Sequence, residues 1–127
     1  MTRAKQATAA RRGHAEAVLA RTTPTPEDLL VKATAARTPA ARARAARQGL
    51  AARQPLDKTT QALLLRQLSL AHYEQQDFAR ARQAAVMALE LGVLADVIHQ
   101  DAARAAVGAG DTEAAVRHLR LAARLGP

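Results

Sequence analysis

ALLLRQLSLAHYEQQDFARARQAAVMALELGV, residues 62–93, aligns without a gap with DVIHQDAARAAVGAGDTEAAVRHLRLAARLGP, residues 96–127, at a spacing of 34 residues. The alignment has six identical pairs, which are Ala71 with Ala105, Asp77 with Asp111, Ala81 with Ala115, Ala88 with Ala122, Leu91 with Leu125 and Gly92 with Gly126. A fixed period in this range indicates stacked repeats. One repeat cannot bury its apolar face alone, so stacking forms the core and leaves an extended surface for a partner. The sequence therefore favours binding over chemistry.

The composition predicts an all-α fold. The chain has 127 residues, of which 49% are hydrophobic and only 2% aromatic, and the two aromatic residues are Tyr73 and Phe78. With so few aromatic residues, the core must consist of Leu, Val and a large amount of Ala. Ala has the highest helix propensity of the common residues. No apolar run is long enough to cross a bilayer. The absence of cysteine excludes disulfides, and a cytoplasmic location is the expectation.

The net charge of +8 is concentrated toward the N-terminus, where residues 1–23 contain five basic residues and one acidic residue. We expect residues 1–23 to form a basic N-terminal helix or arm. Sixteen of the nineteen basic residues are Arg, which suits recognition of carboxylate or phosphate groups. A coding bias toward Arg and Ala explains the same composition.

Turn and capping signals divide the rest of the chain into about six helices. Thr25 and Thr38 each precede a Pro, and Asp77 precedes an apolar stripe, as expected for residues that cap helix N-termini. Pro55 ends the second helix, and Gly92 is the expected C-cap of the fourth. The predicted helices are residues 26–37, 39–53, 60–75, 78–91, 95–108 and 112–125.

Small and large residues recur at corresponding positions of the two aligned stretches. The middle copy has Leu65, Leu68, Ser69, His72, Ala81, Ala85, Ala88 and Val93 at these positions, and the last copy has His99, Ala102, Ala103, Ala106, Ala115, Leu119, Ala122 and Pro127. This pattern resembles the tetratricopeptide repeat, a helix-turn-helix unit of 34 residues, with its small-residue positions kept and its aromatic positions mostly unfilled. The resemblance implies a solenoid in residues 24–127, with a degenerate repeat in 24–57 and further repeats in 62–95 and 96–127.

The resemblance also implies a concave groove, lined by the first helix of each repeat, that holds a peptide or a partner helix. The groove residues carried over from the family are Lys32, Leu63, Arg66, Leu70, Tyr73, Val97, Gln100 and Arg104. Such a groove favours a partner segment with both acidic and apolar side chains. The alternative is that these cations only solvate a helix face. The function that the resemblance implies is that of a small adaptor or scaffold protein that binds its partner in this groove.

Self-assembly is a further expectation, because repeat arrays of this kind usually end with an extra helix that covers the last repeat. No such helix follows residue 125 in this sequence. Val116, Leu119 and Leu121 are therefore candidates for contact with a second copy. A helix within residues 3–20 is a candidate lid, in the same chain or in another.

No pattern in the sequence indicates an enzyme, a cofactor or a metal site. His14, His72, His99 and His118 are far apart in the chain, without the spacing of a zinc site. Asp96 and Asp101 lie in one predicted helix, where the simplest expectation is that they complement its N-terminal dipole.

Nucleic-acid binding is the competing class of function. The N-terminal half is cationic through Arg3, Lys5, Arg11, Arg12, Arg42, Arg44 and Arg47, and such clusters attract phosphate backbones. No recognition-helix signature or stacking aromatic residue accompanies these charges. The sequence therefore ranks this class below protein binding.

Overall fold

The computed structural model describes residues 23–126, and within them it contains six helices and no strand. The helices are α1 (Pro26–Ala35), α2 (Pro39–Ala51), α3 (Lys58–Glu74), α4 (Phe78–Leu89), α5 (Ala95–Gly108) and α6 (Thr112–Leu125). The predicted all-α class and helix number are confirmed for this part of the chain. The basic helix or arm predicted for residues 1–23 lies, except for Thr23, outside the described residues.

Side-chain caps set five of the six helix starts. Thr25 Oγ1 accepts a hydrogen bond from Asp28 N at 3.1 Å, and Asp28 Oδ2 accepts one from Thr25 N at 3.0 Å, which completes a capping box. Thr38 and Asp77 cap the helices that follow them, as predicted, and Asp111 caps α6. Asp57 caps α3, which therefore starts two residues earlier than predicted.

The C-terminal ends of α1, α2 and α4 come two residues earlier than predicted and that of α3 one residue earlier, whereas the bounds of α5 and α6 are as predicted. Helix α4 ends at Leu89 with Glu90 as its C-cap, and the predicted cap Gly92 lies further on with a φ of 72°. Gly92 therefore forms the left-handed turn that redirects the chain, a conformation that a residue with a Cβ adopts rarely.

Short turns join the helices into three hairpins, α1–α2, α3–α4 and α5–α6, and the first helices of neighbouring hairpins also contact one another. Helix α3 contacts both α1 and α5. Among the second helices, no Cα atom of α2 lies within 8 Å of α4, and none of α4 lies within 8 Å of α6. The second helices are therefore spread apart while the first helices lie together.

The core consists mainly of alanine. One cluster combines Ala62 and Leu65 of α3, Ala85 and Ala88 of α4, and Ile98 and Ala102 of α5. Small side chains let the helices approach closely. The Oγ of buried Ser69 donates to the carbonyl oxygen of Ala81 at 2.8 Å, which bonds α3 directly to the backbone of α4.

Candidate partner-binding site

The predicted groove residues all lie on the three first helices. Lys32 is exposed on α1, and Gln100 and Arg104 are exposed on α5. Leu63, Arg66, Leu70 and Tyr73 of α3 and Val97 of α5 are half-buried. The predicted groove residues therefore lie on helices that contact one another, but several of these side chains already make contacts within the chain.

Arg66 is one of these engaged residues. Its Nε donates to Asp101 Oδ2 at 2.7 Å, and the pair joins α3 to α5. Asp101 is only 4% exposed, so burial raises the pKa of its carboxyl group while Arg66 opposes the shift. The expectation that Asp101 complements the dipole of α5 is wrong, because its side chain is buried in a contact with the neighbouring hairpin. Asp96 does lie in the first turn of α5.

Tyr73 and Arg104 form a second link between α3 and α5. The guanidinium carbon of Arg104 lies 6.0 Å from the centre of the Tyr73 ring, at the limit of a cation–π contact. The ring of Tyr73 also makes an edge contact with Phe78, with a centroid distance of 5.6 Å. Arg104 remains exposed, so its guanidinium group is available to a partner.

An open cavity of about 590 Å³ lies between α5 and α6. Its lining consists of Asp96, Gln100, Ala103, Arg104, Val107, Leu119, Ala122, Ala123 and Gly126. We call this the α5/α6 cavity. It unites two groups of predicted site residues, since Gln100 and Arg104 were assigned to the groove and Leu119 to self-association. Leu119 is 51% exposed and Val107 is 63% exposed, so much of the apolar lining faces solvent.

The repeat register shows what lies at the corresponding place on the preceding hairpin. A shift of 34 residues places Leu119 and Ala122 on Ala85 and Ala88. Those two alanines of α4 are buried in the same cluster as Ile98 and Ala102 of α5. The α5/α6 cavity therefore occupies, on the last hairpin, the position that a helix fills on the hairpin before it.

The three residues predicted for self-association do not form one patch. Leu119 lines the α5/α6 cavity, whereas Val116 and Leu121 line two separate shallow depressions beside Arg117 and Arg120. Of the three residues, Leu119 is the one that lines the α5/α6 cavity.

A histidine pair that the sequence reasoning missed links α5 to α6. His99 Nδ1 lies 2.9 Å from His118 Nδ1. The repeat register offered a signal for this pair, because the corresponding residues of the preceding hairpin, Leu65 and Ala84, are both buried. The described residues contain no group of three or more His, Asp or Glu side chains that could hold a metal ion. His14 lies outside them.

The structure describes only some of the cations that the sequence assigns to nucleic-acid binding. Arg3, Lys5, Arg11 and Arg12 lie outside the described residues. Arg42 donates to Glu74 Oε1 at 2.6 Å and to the carbonyl oxygen of Ala36 at 3.3 Å. Arg44 and Arg47 are exposed. The described part of the chain thus contributes two exposed cations from the predicted set.

Comparisons with known proteins give no match: no protein-family model, no curated protein and no solved structure is similar to this chain. Within residues 23–126, no helix has the length and apolar character needed to span a membrane.

Proposed function

We propose that this chain is a non-enzymatic adaptor of the tetratricopeptide-repeat type that binds an amphipathic helix of a partner protein in the α5/α6 cavity. The main support is the equivalence between this cavity and the surface of the α3–α4 hairpin that α5 covers. The proposal keeps the cytoplasmic location expected from the sequence.

The contacts between helices support the stacked-repeat part of the proposal. First helices contact along the array while second helices do not, as expected when successive hairpins are rotated slightly in a superhelix. Such stacking makes each hairpin both a cover for the previous one and a surface for the next. The last hairpin therefore presents a surface suited to one more helix.

Helix α5 serves as a template for the ligand. It presents Ile98 and Ala102, one turn apart, to the α3–α4 hairpin, and Asp101 between them bonds with Arg66. The residue of α5 that corresponds to Arg66 is Gln100, and Arg104 lies one turn further along. We expect the partner helix to place small or branched apolar residues at i and i+4 and an acidic residue within reach of Gln100 and Arg104.

The energy of such docking comes from the exposed apolar lining. Burial stabilises by about 25 cal/mol per Å² of apolar surface, and Val107 and Leu119 supply most of the exposed apolar side-chain surface of the cavity. A helix that lies in an apolar groove, with anchors spaced at i and i+4, is a common mode of peptide recognition. Arg104, the one cation in the lining, then favours an acidic residue of the partner.

The test is a selection of displayed helical peptides on the full chain, followed by affinity measurements with two matched variants. Leu119→Arg places a charge in the cavity, and Leu121→Arg places the same charge on the same helix outside it. The selected peptides should lose at least about tenfold in affinity, or 1.4 kcal/mol, with Leu119→Arg and little with Leu121→Arg. Equal losses with both variants, or with neither, would show that the peptides bind elsewhere.

A further inference from the structure

A second depression, distinct from the α5/α6 cavity, lies between α2 and α4. Because these second helices do not contact each other, a cleft of about 360 Å³ opens between them. Its lining consists of Arg47, Leu68, His72, Arg80, Gln83, Ala84 and Met87. We call it the α2/α4 cleft. It shares no lining residue with the α5/α6 cavity.

The charge of the cleft is positive. Arg47 comes from α2 and Arg80 from α4, so each of the two helices that border the cleft contributes one exposed arginine to its lining. Among residues 23–126, Arg47 has no ion pair, and the one acidic partner of Arg80 is Asp77 at 3.6 Å, in a contact exposed to solvent. One weakly paired carboxylate offsets only part of the charge of these two arginines. The cleft therefore has a net positive charge that suits an anion. Arg offers a planar fork of donors that matches carboxylate and phosphate groups.

The cleft also contains a buried polar atom without a partner. His72 of α3 is 5% exposed, and its Nδ1 is buried without a hydrogen-bond partner in the part of the chain that the structure describes. Buried side-chain polar atoms nearly always have a partner, so His72 Nδ1 has unused hydrogen-bonding capacity beside the cleft.

The environment of His72 explains why the imidazole stays neutral without a ligand. Burial lowers its pKa, and the positive charges of Arg47 and Arg80 lower it further, while Asp77 and the side chain of Gln75 oppose them. A bound anion would offset both guanidinium charges. The Nδ1–H of the neutral imidazole could then donate a hydrogen bond to the bound anion.

The remaining lining is apolar. Leu68 lies on α3, and Ala84 and the half-exposed Met87 lie on α4. A volume of about 360 Å³ exceeds that of a bare inorganic anion and fits a small organic molecule. The lining thus matches a ligand with one anionic group and an apolar body.

We propose that the α2/α4 cleft binds a small organic anion whose carboxylate or phosphate group is held by Arg47, Arg80 and His72, and whose apolar body contacts Leu68 and Met87. The ligand would connect α2, α3 and α4. It would therefore stabilise the contact between the first two hairpins in proportion to its occupancy.

The test is a titration of the full chain, followed by NMR, with benzoate, phenyl phosphate and neutral benzyl alcohol. Up to about 10 mM ligand, at least one of the two anions should bind with a millimolar or lower Kd and shift the imidazole nitrogens of His72, whereas benzyl alcohol should not. Binding of benzoate alone identifies a carboxylate site, and binding of phenyl phosphate alone identifies a phosphate site.

Matched variants separate a site from general attraction to a basic protein. Arg47→Gln combined with Arg80→Gln should weaken binding at least about tenfold, or 1.4 kcal/mol, while Arg44→Gln removes an exposed charge of the same helix outside the cleft and should leave the affinity unchanged. Equal weakening by Arg44→Gln, equal binding of benzyl alcohol, or no shift at His72 with either anion would each overturn the proposal.

Discussion

The Nδ1 atoms of His99 and His118 lie 2.9 Å apart, and this contact joins the two helices of the last hairpin. One nitrogen must donate and the other must accept, so at least one of the imidazoles is neutral. Burial lowers the pKa of His118, and the positive charges of His99, Arg82 and Arg117 lower it further, while Asp111 opposes them. The α5–α6 contact is therefore compatible with a neutral His118 and resists protonation of that ring.

The first prediction is that stability falls as the pH is lowered from 7.5 to 5.5. The folded-state pKa values of His118 and His72 are both below the ordinary value of 6.5, so the unfolded chain binds more protons in this range and stability rises with pH. The contribution of these two histidines to stability is fully present above pH 6.5 and is lost as the pH falls toward their folded-state pKa values. Urea denaturation at both pH values should give a lower midpoint at pH 5.5.

The control for this pH dependence is His118→Gln, which cannot titrate. The difference in urea midpoint between pH 7.5 and 5.5 should be smaller in the variant than in the wild type. The lowered pKa of His72 still contributes in the same direction, and the raised pKa of Asp101 contributes in the opposite direction. The pKa values of the Asp28, Asp57 and Asp111 carboxyl groups are lowered from their ordinary value of 3.8. These groups therefore stay ionised between pH 7.5 and 5.5 and do not contribute to the difference. An unchanged pH difference in His118→Gln would contradict the role of the pair.

The second prediction concerns the close approach of Gly108 to Phe78. A Cβ at residue 108 would collide with Phe78 Cδ1 and lie 2.8 Å from Phe78 Cγ. Gly→Ala in a helix ordinarily stabilises by up to about 1 kcal/mol, but here the ring must move, and overpacking costs typically about 1–3 kcal/mol. We expect Gly108→Ala to lower the free energy of unfolding, and Phe78→Leu to recover part of the loss in a double-mutant cycle.

The third prediction uses two capping residues at corresponding positions. Asp77 and Asp111 each accept a bond from a backbone N–H of the following helix, at 3.2 Å and 3.1 Å. Asp111 also accepts from Arg82 of α4 at 2.6 Å. Asp77→Ala should lower the free energy of unfolding by about 1 kcal/mol as a lost cap. Asp111→Ala should lower it further, because it also removes the partly exposed ion pair with Arg82. In an Arg82→Gln background the two losses should become similar, since the solvent-exposed contact of Asp77 with Arg80 at 3.6 Å adds little.

The fourth prediction concerns the pair Arg66 and Asp101. Arg66→Met leaves a buried carboxylate without its partner, and we expect a loss of roughly 1–3 kcal/mol. The cost should stay below the ~3–5 kcal/mol of a fully buried pair, because the Arg66 side chain is 30% exposed. Adding Asp101→Leu to Arg66→Met should restore much of the stability. If the double variant is no more stable than Arg66→Met, the buried charge is not the cause of the loss.

The repeat spacing and the capping residues made the helices predictable, because both depend on local sequence. Thr25, Thr38 and Asp77 start their helices as expected. Contacts between hairpins were less predictable. Asp101 was interpreted as a dipole partner because its bond to Arg66 spans 35 residues, and that bond depends on how the hairpins pack rather than on the pattern within either helix.

The candidate sites show the same difference between what the repeat pattern predicts and what depends on packing between helices. The family resemblance identified Gln100, Arg104 and Leu119 as surface positions, and these three line the same cavity. The α2/α4 cleft was not predicted, because Arg47, His72 and Arg80 come from three helices and no spacing in the sequence relates them. A site of that kind becomes visible only once the gap between the second helices is known.

The last prediction tests whether the α5/α6 cavity is open in the free chain. Leu119 is 51% exposed, whereas the corresponding Ala85 is 1% exposed beneath α5. Leu119→Gln should therefore change the free energy of unfolding by less than about 0.5 kcal/mol, as surface substitutions do. Ala85→Gln should cost at least about 1–3 kcal/mol, because the larger polar side chain must enter a packed core.

Urea denaturation of both variants over a range of protein concentrations separates the ways in which this prediction can fail. A large, concentration-independent cost for Leu119→Gln would mean that another segment of the same chain covers the cavity. A cost that appears only at high concentration would mean that a second copy covers it. A negligible cost at every concentration, together with the large cost of Ala85→Gln, leaves the apolar surface at Leu119 free for a partner helix.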